Sequence, residues 1–363
     1  MTLKKIDDKI SEINITKENI MSRININLDE IIEKAEKTVA SHKIGKGNYA
    51  RWLWQNAKND RQLGSNPYGL ADAANILYMT GSFPQDDEER AEFVKNLRSF
   101  QDPETGLFNE NTHHTYHTTA HCTAALELFD KYPSYPFKAL KQFDDIPTFY
   151  KMLDDLDWVS APWPQSHQGA GVFAAKVIVE RPSLQWQNAY FDYLDGHCDK
   201  KLGMSREGAV IPRPSDGVLH YNHHLNGWFH YCFNYNHCHR QFPYTETFID
   251  TLIDMYKTGK LEGPNAKFGQ GIGFREIDWV FPINRATWQV GYRREEAKEL
   301  MRDFAVKYVE YINSIDTETH EDFNDLHALF GAMCCLSELQ LALPGEVFTT
   351  KPMKNVLDRR PFI

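Results

Sequence analysis

Apolar positions along the chain fall into two alternating patterns. In Asp87–Phe100, Asp145–Leu156, Ser183–His197, Tyr244–Tyr256 and Arg293–Ile315 they recur at helical spacing on one side only. Leu300, Phe304, Tyr308 and Tyr311, at steps of four, four and three, show it best. Leu28–Trp54, with break points at Gly45 and Gly47, belongs to the same set. Such segments predict helices with one buried stripe. Between them lie runs that are apolar nearly all round, such as Phe173–Val179 with its single Lys176. Those predict helices covered on every side.

The covered runs share one layout: a polar cluster, a helical run, then a proline. They are Asn66–Pro84, Tyr116–Pro136, His167–Pro182, His223–Pro243 and Asn324–Pro344, with a less regular member at Asp278–Val290. Asp72, Thr119, Gln168, Leu225, Asp278 and Asp325 mark them at steps of 47, 49, 57, 53 and 47 residues. Self-similarity at such a period signals an array of supersecondary units. The expectation is an all-α fold, an (α/α)6 toroid of six helical hairpins over residues 28–345. Residues 1–27 are expected as a leader packed outside the ring, and 346–363 as a C-terminal tail. A loop also repeats: Asp102–Gly106 and Asp199–Gly203 share the form Asp-x-x-x-Gly, each followed by an inner helix carrying a histidine, His117 or His224.

Composition narrows the function. With 363 residues and 42% hydrophobic content the chain can bury a large core. A net charge of −10 and the lack of a basic stripe argue against nucleic acid. No run approaches a membrane span, and the first residues lack a secretion signal's apolar core, so a cytoplasmic location is expected. Six cysteines, four of them in apolar helical runs, read as small hydrophobes rather than a disulfide framework. Oligomeric state is not readable from the sequence.

In such a ring the inner helices run parallel, so their N-termini gather at one mouth with unsatisfied N–H groups and positive dipole ends. The polar clusters would converge there. The carboxylates best placed for acid–base work are Asp278 and Asp325, with His117 and His224 on separate inner helices. Asp72, His113, His114, His167, Gln168, Tyr221, His223, Glu276 and Arg285 are expected to bind substrate, with Trp163 and Trp279 offering stacking surfaces. His121 and His230 read as satisfied core histidines. His220, His223 and His224, or Cys232, His237, Cys238 and His239, are conceivable zinc ligands, but neither set has a defined spacing. No metal and no cofactor are therefore expected. Gly269, Gly271 and Gly273 in FGQGIGF follow no strand and read as a loop.

The six-hairpin pattern resembles the scaffold of six-hairpin glycosidases, unsaturated-glucuronyl hydrolases, toroid polysaccharide lyases and N-acylglucosamine 2-epimerases. Gln101–Phe108 (QDPETGLF) and the following TYHTTAHCTAALELF are also similar to the Q-x-x-x-G-x-F/W loop and helix of terpenoid cyclases and protein prenyltransferases. The helix start reads His117-Thr-Thr-Ala where the cyclases carry D-x-D-D. What these resemblances imply is a fold, not catalytic residues. The leading expectation is a carbohydrate-processing enzyme, a glycoside hydrolase acting on a small-molecule or oligosaccharide substrate. A sugar epimerase or polysaccharide lyase using histidine proton transfer is the runner-up. A terpenoid cyclase-like enzyme and a non-catalytic ligand-binding toroid are further alternatives.

Overall fold

The computed structural model describes residues 23–263, 267–351 and 353–361; most of the expected leader lies outside them. The described chain is mostly α-helical. Covered helices α2 (Pro67–Thr80), α4 (Thr115–Glu127), α6 (Pro162–Val179), α8 (Tyr221–His237), α10 (Arg275–Val290) and α13 (Leu326–Ala342) alternate with α1 (Asp29–Ser41), α3 (Asp87–Arg98), α5 (Ile146–Asp155), α7 (Leu184–His197), α9 (Thr245–Lys257) and α11 (Arg294–Ser314). A one-turn α12 (Glu321–Asn324) precedes α13. Each covered helix packs on the next in that order, and α13 packs back on α2. Helices α1 and α3 lie against α2, α9 and α11 against α10.

Local chemistry sets the boundaries. Asn66 caps α2 by accepting from the amides of Tyr68 and Gly69, with Pro67 in the first turn. Asp325 caps α13 by accepting from His327 N. Helix α6 begins at Pro162, five residues before the expected start, because Pro162 and Pro164 are tolerated in a first turn. The segment expected as one broken helix over Leu28–Trp54 is helical only to Ser41. It then turns through strands β2 (Lys43–Gly45) and β3 (Asn48–Tyr49), with Gly47 at φ +56° against the backbone of Phe93. The two Asp-x-x-x-Gly loops are one structure built twice. The Gly106 amide donates to Asp102 O (2.8 Å) and the Gly203 amide to Asp199 O (2.7 Å), both glycines at positive φ.

A seam joins the two ends of the chain. Strand β1 (Ile26–Asn27) pairs in parallel with β4 (Val347–Phe348). Asn324 Oδ1 accepts from the amides of Leu53 and Trp54 (2.8 and 3.0 Å), and Leu326 N donates to Arg51 O (3.1 Å). The C-terminal segment is no loose tail. Arg360 is buried and donates to Asn75, Asn234 donates to Pro361 O, and Asn355 donates to Glu338, so residues 355–361 tie α2, α8 and α13 together.

Helices α4, α6 and α8 approach unusually closely because glycines lie between them. A Cβ on Gly171 would fall 2.8 Å from Tyr116 O, and one on Gly227 2.7 Å from Pro162 O. We expect Gly171→Ala and Gly227→Ala each to destabilise the protein by about 1–3 kcal/mol, read as a lower urea midpoint. An unchanged midpoint in both would mean that the helices are not held this tightly. All six cysteines are free. Among the described residues no helix is long and apolar enough to cross a membrane.

Candidate functional site

Starts of α4, α6, α10 and α13 meet around a cavity of about 310 Å³ lined by Arg51, His113, His117, Trp163, His167, His230, Gly273, Phe274, Arg275, Asp278, Asp325, His327 and Ala328. A larger groove, about 570 Å³, runs along the outer face of α3. It is a charged surface furrow without a convergent acid or histidine group, so size alone does not select it.

One wall is imidazole. His117 on α4, His167 on α6 and His230 on α8 are in ring contact, with centroids 4.3 Å (117–167), 5.1 Å (167–230) and 5.4 Å (117–230) apart. His113 stacks on His117 (4.9 Å) and on Tyr68 (4.4 Å). Nδ1 of His117 meets the Tyr68 hydroxyl, and Nδ1 of His230 meets Ser166 Oγ at 2.7 Å. Burial, reinforced by the neighbouring imidazoles, holds His113, His117 and His167 well below the ordinary histidine range and His230 down to about 3. These rings are neutral at physiological pH.

Beneath them, Asp72 Oδ1 accepts from His121 Nε2 (2.8 Å) and His327 Nδ1 (3.2 Å). Two carboxylates, Asp278 and Asp325, also line the cavity. Asp278 is buried, and loss of hydration with Glu276 nearby pushes its carboxyl well above the usual carboxylate range. With the Asn226 amide nitrogen turned toward it, Asn226 donates to Asp278 Oδ2 (3.1 Å), while Oδ1 has no hydrogen-bond partner. Asp325 is the opposite case. Arg51 grips both its oxygens (2.8 and 3.0 Å) and holds its carboxyl below the usual range despite partial burial.

Comparison with family models, with curated proteins and with solved structures finds no match. The reading therefore rests on residues alone.

Of the four residues expected to be catalytic, His117, Asp278 and Asp325 line the cavity; His224 does not. It is buried against the repeated loop, with Nδ1 3.2 Å from Ser205 Oγ. His113, His167 and Trp163 line the cavity as expected, and Asp72 lies just below it. The other expected binding residues are engaged elsewhere. His114 caps α4, and Gln168 donates to Gln165. Tyr221 packs under Lys260, and His223 meets Arg213. Glu276 accepts from Gly269 N. Trp279 is core, stacked on Tyr256. Arg285 pairs with buried Glu338 and with Asp358, away from the cavity. Reasoning from sequence missed Arg51, Tyr68 and Phe274 and assigned His230 to the core. The cavity holds His230 instead, and its signal was a polar ring one helix away from His167.

Neither conceivable zinc set gathers. Among the described residues, the groups whose ligand atoms lie within 4.8 Å of one another are His117–His167–His230 and Asp72–His121–His327.

Proposed function

We propose that the chain is a carbohydrate-processing hydrolase whose active site is the cavity at the mouth of an α/α toroid. The cyclic neighbour order of the six covered helices supports the toroid. The observation that carries the function is Asp278: a buried carboxyl pushed well above the usual carboxylate range, with Oδ1 unpartnered, on the same cavity lining as the imidazoles. That is the state a general acid requires. Asp278 gives its proton to the leaving oxygen as the carbon–oxygen bond breaks. Water forms the new bond to that carbon and its proton leaves to solvent, while solvent returns a proton to Asp278, so the net change is one water added across the broken bond. Asp325, with both oxygens on Arg51, acts instead as the anchor that aims Arg51 at the rim. Half-exposed Trp163 offers a sugar a stacking face, and the imidazoles, Arg51, Asp278 and Asp325 on the lining offer hydrogen-bonding groups to a hydroxyl-bearing substrate.

The test uses a panel of aryl glycosides and oligosaccharides, with release of reducing ends as readout. Asp278→Asn is expected to lower turnover on any active substrate by at least about 10²-fold while the circular dichroism spectrum stays unchanged. Full activity in that variant overturns the assignment. An ultraviolet-absorbing unsaturated product would move the reading to a lyase, and isomerisation without a new reducing end would move it to an epimerase.

A further inference from the structure

We infer that His117, His167 and His230 form a three-imidazole site for one divalent transition-metal ion, with zinc the class it fits best. This inference deepens the hydrolase reading and rests on it for the ion's use, though not for its binding.

Three successive covered helices each contribute one ring, and the glycine contacts at Gly171 and Gly227 bring those helices close enough for the rings to touch. One ligating atom from each lies within 4.8 Å of the others, so small rotations suffice to bring all three nitrogens to about 2.0–2.1 Å from a common centre. Three histidines with a remaining open position is a recurrent composition of catalytic zinc sites, whereas structural sites close with four protein ligands. Metal-bound histidines are generally oriented by a hydrogen bond at the second ring nitrogen. Here the Tyr68 hydroxyl and Ser166 Oγ occupy that position on His117 and His230.

The cavity supplies an entry path, since all three rings line it. The neighbouring Asp72 group differs on this point. Its carboxylate already accepts from both His121 and His327 and has no exposed surface. An ion at the three-imidazole site would share the cavity with Asp278. Its chemical contribution would be to lower the pKa of a coordinated water, supplying the group that the two-carboxylate reading loses when Asp325 is committed to Arg51.

The decisive experiment titrates the full chain, stripped with chelator, with Zn²⁺ by calorimetry and with Co²⁺ by visible absorption. One equivalent is expected, with the intense d–d bands of a four-coordinate cobalt site. His117→Ala, His167→Ala and His230→Ala should each abolish that equivalent. Tyr68→Phe and Ser166→Ala should weaken it by about 10–100-fold, and His224→Ala should leave it intact. No binding by the wild-type chain overturns the proposal. So does an equivalent that survives the three alanine variants but disappears in His121→Ala or His327→Ala, or in His220→Ala with His223→Ala. Asp278→Asn separates the two claims, because it should bind the ion like wild type. A metal-loaded wild type that hydrolyses nothing would sink the hydrolase reading alone. A wild type that stays active without binding any ion would sink the metal alone.

Discussion

Arg285→Met is expected to lower the unfolding free energy by about 3–5 kcal/mol. Arg285 donates through Nε and Nη2 to both oxygens of Glu338 (2.7 and 2.8 Å), whose side chain is fully buried. Asn284 and Asn355 complete the carboxylate's hydrogen bonds. Removing the guanidinium leaves a charge that amides alone do not neutralise, in a place water does not reach. Truncating both partners to apolar side chains removes the stranded charge along with the attraction, so Arg285→Met with Glu338→Met should be milder than the single change. Urea unfolding of the two variants measures this directly. If Arg285→Met instead leaves stability untouched and raises KM for an active substrate, the residue returns to the binding role its sequence position suggested.

The second large effect is a pH dependence. Burial pushes the Glu276 carboxyl from 4.5 up to about 7, against the pull of Arg275 and the Gly269 amide and with Asp322 adding to the rise. Asp278, two residues on in α10, is shifted in the same direction. A carboxyl whose pKa is higher in the folded state holds its proton there after the unfolded chain has lost it. Stability is therefore greatest below pH 4.5 as far as this group is concerned, declines between pH 4.5 and 7, and is flat again above. The span corresponds to on the order of 3 kcal/mol. Glu276→Gln should flatten that decline and make the variant more stable than wild type at pH 8, with little difference at pH 4.5. Parallel pH profiles for the two proteins would show that Glu276 does not carry the shift.

The alternation of helices was readable because burial on one stripe or all round leaves a periodic trace in a single sequence. The repeated Asp-x-x-x-Gly loop was readable because only a few residue types satisfy its backbone. The site was readable where it depends on position along a helix, and illegible where it depends on rotation about the axis. Asp278 and Trp279 are adjacent in sequence yet about 100° apart on the helix. One faces the cavity and the other the core behind it. Arg285 shares a face with Asp278 but lies seven residues on, about 10.5 Å down the axis, beside the C-terminal segment rather than the cavity. His224 and His230 on α8 face different neighbours for the same reason. The grouping of His117, His167 and His230 spans three helices, and no spacing within any one of them announces it.

The seam between the chain's ends sets the order in which this cavity can come into being. Asp72 stands on the first covered helix and His327 on the last, and Ile26 N reaches Glu346 O across 320 residues. Contacts of such long range form late, because nearly the whole chain must already be ordered before they repay the closure. We therefore expect the floor under the imidazoles to be assembled late in folding, after most of the helices. Recovery of ligand binding after dilution from denaturant should accordingly lag behind recovery of helical signal.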